Sequence, residues 1–248
     1  ILSTASLNCR RGAASSVRLF EMGPVFLQGE PVREEQRLAV VLTGPADPLH
    51  FSRRDRSSDF YDLKGILEIV LEKSGRWSRP IRYVPARVAG FDPSSSAALQ
   101  IADTPIGCLG RISAKSAAHF ELPADVFAAE VSLSRIFAFP PDAAVYKPLP
   151  KFPSIRRDLS LIVRDVVTAA AVQEAVAQAK VPNLTACDVF DVYRGKGLAG
   201  GTYALGLTFV FQSPDRTLSD EEVNAARDSI LSALGSRLGA ELRAGLPS

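Results

Sequence analysis

The chain has 248 residues, 46% of them hydrophobic and 23% charged, with 29 Lys and Arg against 27 Asp and Glu for a formal net charge of +2. That length can bury one large or two modest cores, and so small a net charge argues against a nucleic-acid binder driven by its global field, leaving only local patches for such a role. The longest apolar runs, Leu38 to Leu42 and Leu205 to Phe211, fall far short of the ~20 residues of a membrane helix.

The sequence opens at Ile1 without an initiator Met or a charged-then-apolar leader and is read as a piece of a longer protein. Short apolar runs punctuated by Gly, Pro and Asp predict strands at Val17 to Phe20, Val25 to Leu27, Arg37 to Thr43, Ile81 to Val84, Ala98 to Ile101 and Ile106 to Ile112, assembled as a mixed sheet. Between them, Phe60, Leu63, Leu67, Val70 and Leu71 recur at helical spacing and predict a helix over Asp59 to Ser74. Ser58 or Asp59 can cap its start, and Gly75 can end it.

Five prolines crowd Phe139 to Pro153, removing amide donors and disfavouring helix, so this stretch reads as a linker. It divides the chain into domains at 1–145 and 146–248. The second is expected to run strand (Asp158 to Val163), helix (Thr168 to Lys180), strands (Leu184 to Asp191 and Thr202 to Phe211), helix (Ser219 to Leu238) and a short strand near Glu241 to Arg243. That order is the β-α-β-β-α-β of a ferredoxin-like fold. Ser219 and Glu222 make a capping box for the last helix.

Little in the sequence suggests catalysis. Arg194-Gly195-Lys196-Gly197 lies between two predicted strands, which suits a flexed connection with exposed cations better than a phosphate loop. Three dispersed cysteines (Cys9, Cys108, Cys187) and two histidines (His50, His119) supply neither a zinc pattern nor a triad, and the cysteine usage fits a reducing cytoplasm. Asp59, Asp62, Glu221 and Glu222 fit helix-start electrostatics. No catalytic residue and no metal ligand is therefore expected.

Lys147, Lys151, Arg156 and Arg157 stand within eleven residues with no acid before Asp158, which suits either phosphate contacts or a solvated basic linker. Arg157 has the further option of pairing with an acid of its own domain. Strand alternation places Asp191 and Tyr193 on one face unless a bulge intervenes, and assigns Phe190 to the core. A Tyr beside an Asp, with Arg194 and Lys196 following, is suitable equipment for stacking an unpaired base and reading its edge.

Three blocks carry a specific resemblance: Lys151-Phe152-Pro153-Ser154-Ile155-Arg156-Arg157-Asp158-Leu159-Ser160, Phe190-Asp191-Val192-Tyr193, and Gln212 through Val223. In this order they resemble the ferredoxin-fold anticodon-binding domain of bacterial phenylalanyl-tRNA synthetase beta subunits. Arg18 through Phe26, Asp59 through Gly65 and Ile106 through Gly110 are similar to that subunit's catalytic-like domain. The resemblance implies an α+β chain in which a degenerate class II synthetase-like domain precedes the anticodon-binding domain.

It further implies a non-catalytic tRNA-binding scaffold with no cofactor of its own. The partners would be an alpha subunit, in a cytoplasmic heterotetramer of two alpha and two beta chains, and the tRNA for phenylalanine. ATP and Mg2+ would sit at the alpha active site. Tyr193 is implied to stack on an anticodon base, and Asp191, Arg194, Lys196, Lys151, Ser154, Arg156 and Arg157 to line the tRNA site. Departures from the family occur at Asp92 through Ser96, at Arg111 through Ala114, and at Ala204, where a serine is common. The rival readings are a free-standing RNA-binding protein and a small-molecule sensor.

Overall fold

Paired apolar strands covered by helices build the first part of the chain. The computed structural model describes all residues except 12–15, 48–50, 52–55, 77, 144–145, 147 and 244–248. The chain divides into two compact units, Ile1–Val145 and Tyr146–Ser248.

In the first unit the elements are α1 (Leu2–Arg10), β1 (Val17–Leu27), β2 (Arg33–Thr43), α2 (Phe60–Lys73), β3 (Ile81–Pro85), β4 (Phe91–Ile101), β5 (Thr104–Ile112), α3 (Ala114–His119), β6 (Val126–Ser132) and α4 (Leu133–Ala138). The strands form one sheet in the order β1-β2-β6-β5-β4-β3. Every pairing is antiparallel, so the expected mixed sheet is corrected. The connection through α2 is long enough to deliver a parallel neighbour, but it carries the chain to β3 at the far edge instead.

The two short strands expected at Val17 to Phe20 and Val25 to Leu27 are one continuous strand across Pro24. Because β1 is an edge strand, a residue without an N–H is tolerated there. Strand β6 and helices α1, α3 and α4 lie outside the sequence expectations. One face of the sheet packs Leu38, Val40, Leu99, Ile106 and Leu109 against Leu63 and Leu67 of α2. The other face packs Val17, Val41 and Ile112 against Ala5 of α1 and Ala117 of α3.

Helix α2 starts as expected. The Asp59 carboxylate accepts from the Tyr61 and Asp62 amides, and the Asp62 carboxylate accepts from the Asp59 amide. Arg56 grips Asp62 through two hydrogen bonds of 2.7 Å. Just past the C-cap, Gly75 takes φ +76°, which suits glycine. The first residues of the expected linker are tied to the unit. Arg76 donates to the Phe139 carbonyl at 2.9 Å, and the Ser78 amide donates to Asp142 at 2.8 Å.

The second unit contains β7 (Ile155–Arg164), α5 (Ala169–Ala179), β8 (Leu184–Tyr193), β9 (Thr202–Phe211), α6 (Asp220–Leu238) and β10 (Glu241–Leu242). Its sheet runs β10-β7-β9-β8, all antiparallel, the topology expected of a ferredoxin-like split motif. Thr168 caps α5, and Ser219 with Glu222 forms the capping box of α6. Leu159, Leu161, Val163, Leu205, Leu207, Phe209 and Phe211 pack against Val172 and Val176 of α5 and Ile230 and Leu234 of α6. Both helices therefore cover the same face of the sheet.

Candidate nucleic-acid interface

Alternation along a strand sends every second residue to the face opposite the helices. On β9 that open face receives Ala204, Gly206, Thr208 and Val210, and on β7 it receives Arg156, Asp158, Ser160 and Ile162. Asp158 accepts the Thr208 hydroxyl across the strands at 2.6 Å.

On β8 the register shifts between Val189 and Asp191: Val189 pairs with Leu207, and Asp191 already pairs with Gly206. The extra residue is Phe190. A bulge of this kind sets two residues against one, so Phe190 and Asp191 share the open face, and the expectation that Phe190 lies in the core is overturned. Phe190 is 56% exposed. A Cβ on Gly206 would stand 2.9 Å from Phe190 Cζ, so the ring leans over Gly206 on the open face. Asp191 and Tyr193, opposite Gly206 and Ala204, share that face.

Tyr193 is half-buried and fixed at both ends of its side chain. Its hydroxyl donates to the Lys196 carbonyl at 3.1 Å. The Arg243 guanidinium lies over its ring, 4.7 Å from the centroid. Gly195 makes room for the ring, since a Cβ there would meet the Tyr193 hydroxyl at 2.6 Å. The glycine-flexed hairpin thus shapes the seat of the tyrosine.

The other expected site residues divide. Arg156 is exposed on the open face, Lys151 and Ser154 are exposed just before β7, and Lys196 is exposed in the hairpin. Lys151 borders a cleft of about 300 Å³ with Thr185 and Gln212. Arg157 points to the helix side and pairs with Asp220 at the start of α6. Arg194 pairs with Asp165 and lies over the ring of Tyr203, 4.4 Å from its centroid, also on the helix side. Burial pushes the Tyr203 phenol up, and its protonated hydroxyl donates to the Val167 carbonyl at 2.7 Å. Arg157 and Arg194 therefore stand apart from Tyr193, Asp191 and Arg156. Lys147 and His50 lie outside the described residues.

Residues 1–133 match the family model described as the phenylalanyl tRNA synthetase beta chain CLM domain, and residues 150–243 match the ferredoxin-fold anticodon binding domain. The chain belongs to the phenylalanyl-tRNA synthetase beta chain family. It is 34% identical over 246 residues to the phenylalanine–tRNA ligase beta subunit of Geobacillus kaustophilus, which covers 98% of this chain and 30% of that one. It is 36% identical over 233 residues to the corresponding subunit of Haemophilus influenzae, covering 92% and 29%. The chain thus spans about three-tenths of the length of these relatives.

Within the anticodon-binding domain, sequence reasoning missed the exposure of Phe190, the seat that Gly206 gives it, and Arg243. A signal for the first two exists: Gly206 interrupts an apolar strand between Leu205 and Leu207, which marks a bulge or a close approach. Arg243 comes to Tyr193 only through the tertiary fold. Two departures from the family pattern acquire a structural account. Ala204 is buried and offers no hydroxyl opposite Tyr193. Asp92 pairs with Arg111 across β4 and β5, and hydrogen bonds from Ser94 are the largest cause holding its carboxyl down at about 2. Among the described residues, no group of three His, Cys, Asp or Glu side chains could hold a metal ion, and no helix is long and apolar enough to cross a membrane.

Proposed function

We propose that this chain is the scaffold and tRNA-binding part of a phenylalanine–tRNA ligase beta subunit, supporting ATP-dependent attachment of phenylalanine to its tRNA in the cytoplasm. The observation that carries the reading is the open sheet face of the anticodon-binding domain. It leaves Tyr193, Asp191 and, further along the same face, the exposed cation Arg156 with no helix over them. Unpaired bases are recognised by stacking on aromatic rings and hydrogen bonding along their edges, and exposed Lys and Arg hold the phosphates. In this reading Tyr193 stacks on an anticodon base, Asp191 accepts from a base edge, and Arg156, Lys151 and Lys196 bind backbone phosphates, with Ser154 beside them. Arg157 and Arg194 contribute by holding the domain together.

The first unit is proposed as a class II synthetase-like domain without catalysis of its own, with ATP and Mg2+ bound by the alpha subunit. An exposed apolar surface supports a subunit contact. Phe20, Met22 and Phe26 lie on one side of edge strand β1, with Phe20 69% and Phe26 70% exposed. With Ile66 and Val70 of α2 and Leu133 and Phe137 of α4, Phe20 and Met22 line a cleft of about 590 Å³. A contiguous apolar surface of this kind suits a permanent partner rather than solvent, and the alpha subunit is the occupant we assign. The experiment is tRNA binding by the alpha–beta assembly, compared with one whose beta chain ends before Tyr146. The reading expects the truncated assembly to form and to lose tRNA affinity, and unchanged affinity would sink it.

A further inference from the structure

We propose that Phe190 is a second base-stacking residue, so that the open face holds two unpaired bases of one RNA strand, one on Tyr193 and one on Phe190. The inference rests on the reading of that face as an RNA interface. Three features of the second unit serve to place this ring. The bulge between Val189 and Asp191 sets Phe190 and Asp191 together opposite Gly206, so both side chains lie on the open face. Gly206 occupies the middle of β9, where a glycine weakens a strand, and a Cβ there would stand 2.9 Å from Phe190 Cζ and 3.0 Å from Cε2. The ring nevertheless remains 56% exposed.

Merely covering Gly206 would not require an aromatic ring left more than half in water, because an apolar side chain gains from burial. The surroundings narrow the ligand. Next to Phe190 the open face carries Asp188, Asp191, Thr208 and Ser160, so the exposed ring is flanked by polar groups, with Tyr193 as the other aromatic of that face. That setting suits a planar base stacked in a wet interface better than the broad apolar surface of a protein partner. Asp191, adjacent to Phe190 and two residues before Tyr193, can accept hydrogen bonds from the edges of stacked bases.

The test is equilibrium binding of the tRNA for phenylalanine to the alpha–beta assembly containing this chain. Phe190→Leu keeps apolar cover over Gly206 but removes the flat π surface. It is expected to weaken binding about 5- to 150-fold, the range for removing one base–aromatic stack. Phe190→Tyr should bind like the parent. A series of tRNAs, each abasic at one anticodon-loop position, should include one on which Phe190→Leu causes no further loss. Parent-like binding by Phe190→Leu would overturn the inference, as would an equal loss on every abasic tRNA. Tyr193→Ala, run in parallel, separates the two levels: if it loses affinity while Phe190→Leu does not, only this inference fails. If both are silent, the reading of the face fails with it.

Discussion

The guanidinium of Arg243 lies over the ring of Tyr193, 4.7 Å from its centroid, although the two residues stand at opposite edges of the four-stranded sheet. The Arg243 amide is held by the Ser160 carbonyl at 2.8 Å, so its side chain reaches across the open face. A cation over an aromatic ring at a partly exposed site contributes about 0.5–1 kcal/mol. Arg243→Ala should therefore loosen the tyrosine and reduce tRNA affinity about 2- to 5-fold, less than removing the ring itself. Titration of the assembly with tRNA checks this. Tighter binding by Arg243→Ala would mean that the guanidinium competes with the base for the ring.

Gly206→Ala adds a Cβ that collides with Phe190 and stands 3.0 Å from Asp191 Cβ. Overpacking of this kind costs about 1–3 kcal/mol. The cost should be smaller in a Phe190→Ala background, with a coupling of at least about 0.5 kcal/mol because the two residues touch. Denaturant unfolding of the four variants measures it. Additive losses would place the strain elsewhere.

At the start of α2, the hydrogen bonds from Arg56 are the largest cause holding the Asp62 carboxyl down at about 2, below its ordinary 3.8. A carboxyl depressed in the folded state stabilises the fold above its unfolded pKa and loses that contribution as the pH falls through the folded one. Asp62 is 17% exposed and Arg56 49%, so we discount for solvent and expect Asp62→Asn to cost about 1 kcal/mol at neutral pH. Unfolding curves of the parent and Asp62→Asn should converge as the pH drops from about 4 to about 2. A gap that stays constant over that window would contradict the assignment.

If Phe20 and Met22 meet the alpha subunit, Phe20→Glu combined with Met22→Glu should prevent stable assembly, because two carboxylates would be buried without partners. Both side chains are mostly exposed in this chain, so its own folding should persist. Gel filtration with the alpha subunit, alongside circular dichroism of the variant, separates the two effects. Normal assembly would move the interface elsewhere.

Much of this architecture was legible because local chemistry and tertiary structure agree. The stripe Leu63, Leu67 and Leu71 behind Asp59, the capping box Ser219/Glu222 and the apolar run along β9 each mark an element that the structure contains. Strand β6 was illegible for a physical reason. Its residues Val126 to Ser132 are buried on both faces apart from Glu130, so the alternation that marks a half-buried strand is missing, and its alanines carry little strand propensity. The position of Phe190 was lost to a bulge, which puts the consecutive residues Phe190 and Asp191 on one face, against simple alternation and without a change in composition. Arg194 and Arg157 look like free cations in the sequence, but Asp165 and Asp220, tens of residues away, hold them.

The central claim is that Tyr193 presents its ring to an anticodon base, and the most direct measurement is the tRNA affinity of the assembled synthetase carrying Tyr193→Ala or Tyr193→Phe. Tyr193→Ala should lose about 1–3 kcal/mol of binding, the value of one base–aromatic stack, with the domain still folded. Tyr193→Phe keeps the ring, gives up only the hydrogen bond to the Lys196 carbonyl, and should lose much less. Normal tRNA binding by Tyr193→Ala, or a loss traced to unfolding of the domain, would contradict the account.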